Sequence, residues 1–373
     1  MSIIDHHHFP KNCRILVTSD IHGNLEGFKA LLEQVKYQAD TDYLVIVGDL
    51  CEKGCDSAGL VRFVRELQDK HSDLVWVIRG NCDEVYQSVL EDDPDIVSYL
   101  IHREHSLLNE WLSEVGYQVR PESTVAEIQQ HILQSHHERD IEFLLNLPHV
   151  IETESFIFVH AGLEDRQDWE NSSAETLLSM PRFYDQTHQA SQIVVVGHYP
   201  VSAYQVKNRL SFNPILDQEK RIFSIDGGNV IKQSGQLNVL IIQKENEHFL
   251  YTSDYVKCRK QVVAVSSYAA TDSDVGQVTW PEYDVVIHEQ GEDFSQCTLM
   301  SGKTVWIKNE MIDFETKACM TDTTSFRFSY QPGDCFELIR DDTSTYWLVK
   351  SAGVLGWIRA SDVVLVEKKQ LLV

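Results

Sequence analysis

The sequence predicts a layered α/β architecture over its first two-thirds, followed by small all-β modules. Three observations carry this. Short apolar runs alternate with helical patterns up to about residue 250, polar motifs rich in Gly, Asp and His follow those runs, and beyond about residue 255 the long helical patterns stop.

Residues 15–17 read as a buried strand. Leu25, Phe28, Leu31, Leu32 and Val35 then share one helical face, with Asn24 as N-cap. Residues 43–47 form a second strand, followed by a helix carrying Leu60, Phe63, Val64 and Leu67, and residues 74–78 a third. Further strands are expected at 156–159, 193–196, 222–225 and 239–242. Between them, residues 84–150 read as a helical insertion with two apolar sets: Tyr99, Leu107, Leu108, Trp111 and Leu112, then Val125, Ile128, Ile132 and Leu133. His131, His136 and His137 lie in a polar helical stretch and are expected to face solvent, and His6, His7 and His8 to form a polar tail.

The tail contains two similar segments, 284–312 and 335–363. Aligned on Trp306 and Trp357 they repeat every 51 residues, with Gly302 matching Gly353, Ile307 matching Ile358 and Lys308 matching Arg359. The expected division is therefore an α/β domain over 1–254 and two β modules over 255–322 and 323–373.

With 43% hydrophobic and 10% aromatic residues the chain can bury a proper core. A net charge of −25, from 32 basic and 57 acidic residues, argues against nucleic acid or an anionic membrane as partner. No run of apolar residues reaches membrane-spanning length, no secretory signal is visible, and the eight cysteines are scattered, so a reduced, cytoplasmic protein is expected.

Five motifs occur in order: Asp20-Ile21-His22-Gly23-Asn24, Gly48-Asp49, Gly80-Asn81-Cys82-Asp83, His160-Ala161-Gly162 and Gly197-His198. Four directly follow a predicted strand. Loops at the carboxyl ends of strands in an α/β sheet converge on one crevice. Asp20, His22, Asp49, Asn81, His160 and His198 therefore form a candidate ligand set for two divalent transition metals. Carboxylate and imidazole suit manganese, the first choice, with iron or zinc as the alternatives. A carboxylate such as Asp49 can bridge two ions roughly 3.5–4 Å apart, which bind a hydroxide nucleophile and neutralise a phosphoryl group.

These motifs resemble those of the calcineurin-like metallophosphoesterases, and within them the bacterial phosphoprotein phosphatase branch. DIHGN, GDLCEKG, IRGNCDE, FVHAGL and GHYP match its pattern along roughly residues 12–245. The resemblance implies the metallophosphoesterase fold, a β-sandwich flanked by helices. It implies one metal held by Asp20, His22 and Asp49 and the other by Asp49, Asn81, His160 and His198, with phosphate bound by Arg79 and Arg182; Lys53, where the family has an arginine, is a third phosphate-binding candidate. The tail resembles bacterial SH3-like domains, which implies two small barrels that bind peptides or mediate oligomerisation.

Two departures from the family stand out. Glu52 and Lys53 replace an aspartate and an arginine, and Cys82 stands where the family has the histidine that protonates the leaving oxygen. A neutral thiol is a weaker donor, so Asp83 and Glu52 join Cys82 as candidates for that role. The expected activity is hydrolysis of phosphomonoesters by metal-bridging hydroxide. Phosphoproteins are the first substrate class, with a preference for phosphotyrosine and other aryl phosphates. Two alternatives stand beside it: a dinucleoside polyphosphate hydrolase or phosphodiesterase, and a phosphatase-fold binding protein with weak turnover.

Overall fold

The computed structural model describes residues 3–206, 209–257, 260–271 and 276–366; Cys258 and the outer ends of the first and last expected domains lie outside them. The chain divides into two compact units. The first comprises 1–200, 214–231 and 237–256, and the second 201–213, 232–236 and 257–373.

The first unit is a mixed α/β sandwich. Its strands are β1 (Ile4–His6), β2 (Asn12–Thr18), β3 (Tyr43–Val47), β4 (Val75–Ile78), β5 (Val150–Glu152), β6 (Phe156–Val159), β7 (Ile193–Val196), β8 (Ile215–Asp217), β9 (Ile222–Ser224), β10 (Asn238–Glu245) and β11 (His248–Tyr255). One sheet has the order β11-β10-β2-β3-β4 and the other β1-β5-β6-β7-β9-β8. Strand alternation explains how the first sheet is covered on both faces. Ile15, Val17, Val45, Val47, Trp76 and Ile78 point into the layer shared with Phe156, Phe158 and Val195 of the second sheet. The residues between them, Leu16, Leu44, Ile46, Val75 and Val77, pack under helices α1 (Leu25–Gln34) and α2 (Ser57–Lys70). A strand buried on both faces shows no polar alternation, which is why these runs read as continuous apolar stretches. Asn24 caps α1 by accepting from Gly27 N at 3.0 Å.

The insertion consists of α3 (Val85–Leu90), α4 (Asp95–Ile101), α5 (Leu107–Glu114), α6 (Val125–Gln134) and α7 (Glu138–Asn146). Leu107, Leu108, Trp111, Leu112, Ile128 and Ile132 are buried in the helical layer. Two expectations fail outright here, and a third holds only in part, since His131 is half-buried with its ring stacked on Tyr117. Leu133 is exposed, because it lies one residue beyond the stripe that ends at Ile132. His137 is buried rather than solvent-facing: Glu114 at 2.9 Å and Asp140 at 3.3 Å satisfy its ring nitrogens, and it stacks on Trp111.

The second unit is built of small β-sheets. A three-stranded sheet joins Val285–Gln290, Phe294–Leu299 and Thr304–Lys308, and a five-stranded sheet contains Cys335–Arg340, Tyr346–Ser351 and Val354–Arg359. The sequence repeat has a structural counterpart. Gly302 and Gly353 both take positive φ in the turn before the repeated strand, and each strand runs into a single 3₁₀ turn, Asn309–Met311 or Ala360–Asp362. Strand Gln261–Ala264, placed by sequence with the first module, pairs with Cys335–Arg340 and Val363–Leu365 of the second. Residues 201–213 belong here because Leu210 and Phe212 are buried with Leu355 and Trp357.

Candidate metal centre

The ligand motifs sit where five strands end. The loops after β2, β3 and β4 of one sheet and after β6 and β7 of the other carry Asp20 and His22, Asp49, Asn81, His160 and His198. The backbone is bent hard to bring them in. Asp20, His22, Asp49 and His198 all adopt φ between 50° and 63°, a left-handed conformation that is costly for a residue with a Cβ. The loops also approach closely: a Cβ on Gly48 would sit 2.7 Å from both His160 Nδ1 and the Gly80 backbone.

The structure brings all six together. Asp49 Oδ2 lies 3.6 Å from His22 Nε2, and its other oxygen lies 3.4 Å from His160 Nε2. Asp20 Oδ1 is 3.8 Å from His22 Nε2. Asn81 Oδ1 lies 3.1 Å from His160 Nε2 and 2.9 Å from His198 Nδ1. His22 Nδ1 is held by the Cys51 carbonyl at 3.1 Å and His160 Nδ1 by the Val47 carbonyl at 2.9 Å, so both present Nε2 inward. His198 N donates to Asp20 Oδ2 at 3.0 Å, tying the loops of the two sheets to each other.

This donor set fits divalent cations. Asp20, Asp49, Glu52, Asp83 and Asp226 are all at most 3% exposed, and buried charge is tolerated only when paired or metal-bound. Burial first, and then the neighbouring Asp49 charge, push the Asp20 carboxyl up to about 8. Burial acts on Asp49 the same way, but His160, His22 and Lys53 hold its carboxyl well below its usual range. Burial holds His22 and His198 down to about 4, leaving both imidazoles neutral with a lone pair to give. One oxygen of Asp226, beside Asp20, has no hydrogen-bond partner.

The residues expected to assist divide into two groups. Cys82 joins the centre: its sulfur, a carboxylate oxygen of Asp49 and a ring nitrogen of His22 lie within 4.8 Å of one another. Lys53 also faces it, its ammonium 3.5 Å from His22 Nε2. Both line a cavity of about 530 Å³ together with Asn81, Tyr99, Arg103 and Ser179. Arg182, in a left-handed conformation, lies over the ring of Tyr199, the neighbour of His198, and pairs with Asp185.

Asp83, Glu52 and Arg79 are turned elsewhere, which corrects the sequence reading. Asp83 accepts four backbone N–H groups, from Asp49, Leu50, Cys51 and Gly80, at 2.8–3.1 Å, and so staples the β3 and β4 loops together. Glu52 is fully buried and accepts from Tyr99, Ser106 and Leu107, anchoring the insertion. Arg79 donates to the Leu144 and Leu145 carbonyls near the end of α7. Neither carboxylate is free to protonate a leaving group. The anchoring role of Glu52 predicts that Glu52→Ala lowers unfolding stability by ~3 kcal/mol, because two buried donors and one part-buried donor lose a charged acceptor. A denaturant midpoint unchanged from wild type would contradict it.

Sequence reasoning missed Asn229, whose amide donates to the Asp20 and Ile21 carbonyls and whose oxygen accepts from Asn24. Its only signal was adjacency to the Asp226-Gly227-Gly228 turn. Tyr99 and Arg103 were missed as cavity residues because nothing local distinguishes them from other helix-surface residues.

A family model described as calcineurin-like phosphoesterase matches residues 13–226, more than half of the chain and the whole ligand set. The chain belongs to the calcineurin-like phosphoesterase family. Among curated proteins, this family member is 42% identical over 65 residues to a symmetrical bis(5'-nucleosyl)-tetraphosphatase of Buchnera aphidicola subsp. Acyrthosiphon pisum, covering 17% of this chain and 22% of the relative. It is 37% identical over 90 residues to the protein of that name from Pectobacterium carotovorum subsp. carotovorum, covering 23% and 31%. The chain thus spans less than a third of these relatives' length. Among solved structures, a candidate diadenosine tetraphosphatase aligns with TM-score 0.46 and 17% identity over 68% of this chain and 98% of the other. A cold-active protein-tyrosine phosphatase of a Shewanella species aligns at 0.40 and 13%, covering 68% and 82%. No helix among the described residues is long and apolar enough to cross a membrane.

Proposed function

We propose that this family member is a metal-dependent hydrolase of phosphoric esters and anhydrides whose leaving groups are weak bases, with dinucleoside polyphosphates as the first substrate class. The observation that carries this is a six-residue ligand set beside a position, Cys82, where a strong proton donor is missing and has no substitute from Asp83 or Glu52. Two bound divalent ions would supply the nucleophile and offset phosphoryl charge. Manganese, iron or zinc each suits the donor set.

The chain's own residues then position and hold charge. Lys53 and Arg182 are the phosphate-binding candidates. Burial works against the Lys53 ammonium, yet Cys82, Asp49 and Asp20 raise it above its usual value, so it stays charged at the cavity wall. Without a proton donor, departure is easiest for a group that is stable as an anion. A nucleotide terminal phosphate, with a second pKa of about 6, meets that condition better than a phenoxide or an alkoxide. Tyr99 and Arg103 give the cavity an aromatic face topped by a guanidinium 4.8 Å away, which suits a nucleobase or an aryl ring. The curated relatives' names favour the same substrate class. Aryl phosphates, phosphotyrosine included, are the second reading, on the leaving-group argument alone.

The test is kcat/KM of metal-loaded protein on diadenosine tetraphosphate, an aryl phosphomonoester and a phosphoserine peptide. We expect activity to fall in that order. A phosphoserine peptide cleaved faster than both others would sink the reading. The β-rich second unit we read as two SH3-like repeats that dock a peptide or a second copy of the chain. The cytoplasmic assignment rests on the free thiols among the described residues.

A further inference from the structure

We propose that Cys82 is a metal ligand, its thiolate joining His22 and Asp49 around one of the two ions. This rests on the metallohydrolase reading above and adds a ligand to it.

Three observations converge. First, the Cys82 sulfur, an Asp49 oxygen and a His22 nitrogen lie within 4.8 Å of one another. One ion with bonds of about 2.0–2.3 Å bridges that span with sub-ångström adjustment. Second, the three groups are aimed by other bonds. The Cys82 amide donates to Asp49 Oδ1 at 2.9 Å, which fixes residue 82 against the carboxylate, and the Cys51 carbonyl holds His22 with Nε2 inward. Third, the point between them already draws a cation: the Lys53 ammonium lies 3.5 Å from His22 Nε2. A divalent ion would displace Lys53 from His22 and leave its charge for the substrate cavity it lines.

The chemistry balances simply. The Cys82 S–H bond breaks, its proton passes to solvent, and the sulfur lone pair forms the bond to the cation. A sulfur ligand shifts preference at this site toward zinc, cobalt or iron and away from manganese, which favours oxygen. It also explains why a residue beside the reacting phosphate is no proton donor: its proton is gone once metal is bound.

The experiment loads metal-free protein with Co²⁺ and follows absorption and stoichiometry together. A thiolate-to-cobalt charge-transfer band in the near ultraviolet is expected, saturating at one of two bound Co²⁺, absent from Cys82→Ser and retained in Cys51→Ser. Two Co²⁺ bound with no such band would overturn the ligand assignment while leaving the metallohydrolase reading intact. A band that survives in Cys82→Ser would also overturn it, and a chain that binds no Co²⁺ would overturn both. Alkylation of wild-type protein gives a check that needs no variant. Cys82 should be modified far more slowly with zinc bound than without, and exposed Cys55 equally in both states. Equal modification of Cys82 in both states would count against the assignment.

Discussion

Asp49→Asn is expected to strip the protein of metal at both positions and to lower kcat/KM by at least about 10³-fold, the scale of removing preorganised charge at the reacting group. The reason lies in how the carboxylate is held. One oxygen faces His160 at 3.4 Å and also accepts the Cys82 amide at 2.9 Å, and the other faces His22 at 3.6 Å. An asparagine keeps the Cys82 bond with its oxygen and so turns its NH₂ toward His22, where a donor replaces an acceptor. The His22 side should therefore lose metal first in an equilibrium dialysis series. A second readout separates this from misfolding. The Asp49 charge is favoured by His160, His22 and Lys53, so removing it should lower the Tm of the metal-free protein while leaving one cooperative transition. Added metal, which raises the Tm of wild type, should no longer raise that of the variant. Two ions bound with full turnover in this variant would refute the bridging role.

The centre was legible in the sequence because its strands are buried on both faces. Residues 15–17, 43–47 and 75–78 are near-continuous apolar runs, and the ligands follow such runs within a few residues. What the sequence hides is the direction of a side chain after a sharp turn. Asp83 lies beside Cys82, yet it points back at four amides. Arg79 precedes the Gly80-Asn81 ligand turn, yet it reaches the carbonyls of a helix more than sixty residues away. Both are decided by partners distant in sequence, which local spacing does not encode. The same holds in the repeats. Lys308 and Arg359 are equivalent by alignment, but Lys308 is fully buried between Asp293 and Glu310, whereas Arg359 lies exposed over Tyr268. The grouping of 201–213 and 232–236 with the tail was equally invisible, because it rests on contacts such as the Lys350 ammonium on the Ser234 and Gly235 carbonyls.

On matched peptides, phosphotyrosine is expected to be hydrolysed faster than phosphoserine by on the order of 10²-fold in kcat/KM, within the range that general acid catalysis supplies. The serine alkoxide is far more basic than the tyrosine phenoxide, whose acid has a pKa of about 10, so the missing proton penalises it more. The structure sharpens this, since Asp83 and Glu52 are both committed to donors elsewhere. Cys82→His places an imidazole where the thiol now stands beside Asp49 and Lys53, and should raise the phosphoserine rate more than the phosphotyrosine rate. A further proton-bearing group at the centre is Lys53. If wild-type rates on the two peptides were equal, Lys53→Arg would decide its part. Arginine keeps the positive charge but holds its proton far more tightly. A selective fall in the phosphoserine rate in that variant would identify Lys53 as the acid and end the argument for a missing one. With the expected tyrosine preference in wild type, Lys53→Arg should instead change both rates by a similar factor, as loss of a phosphate contact would.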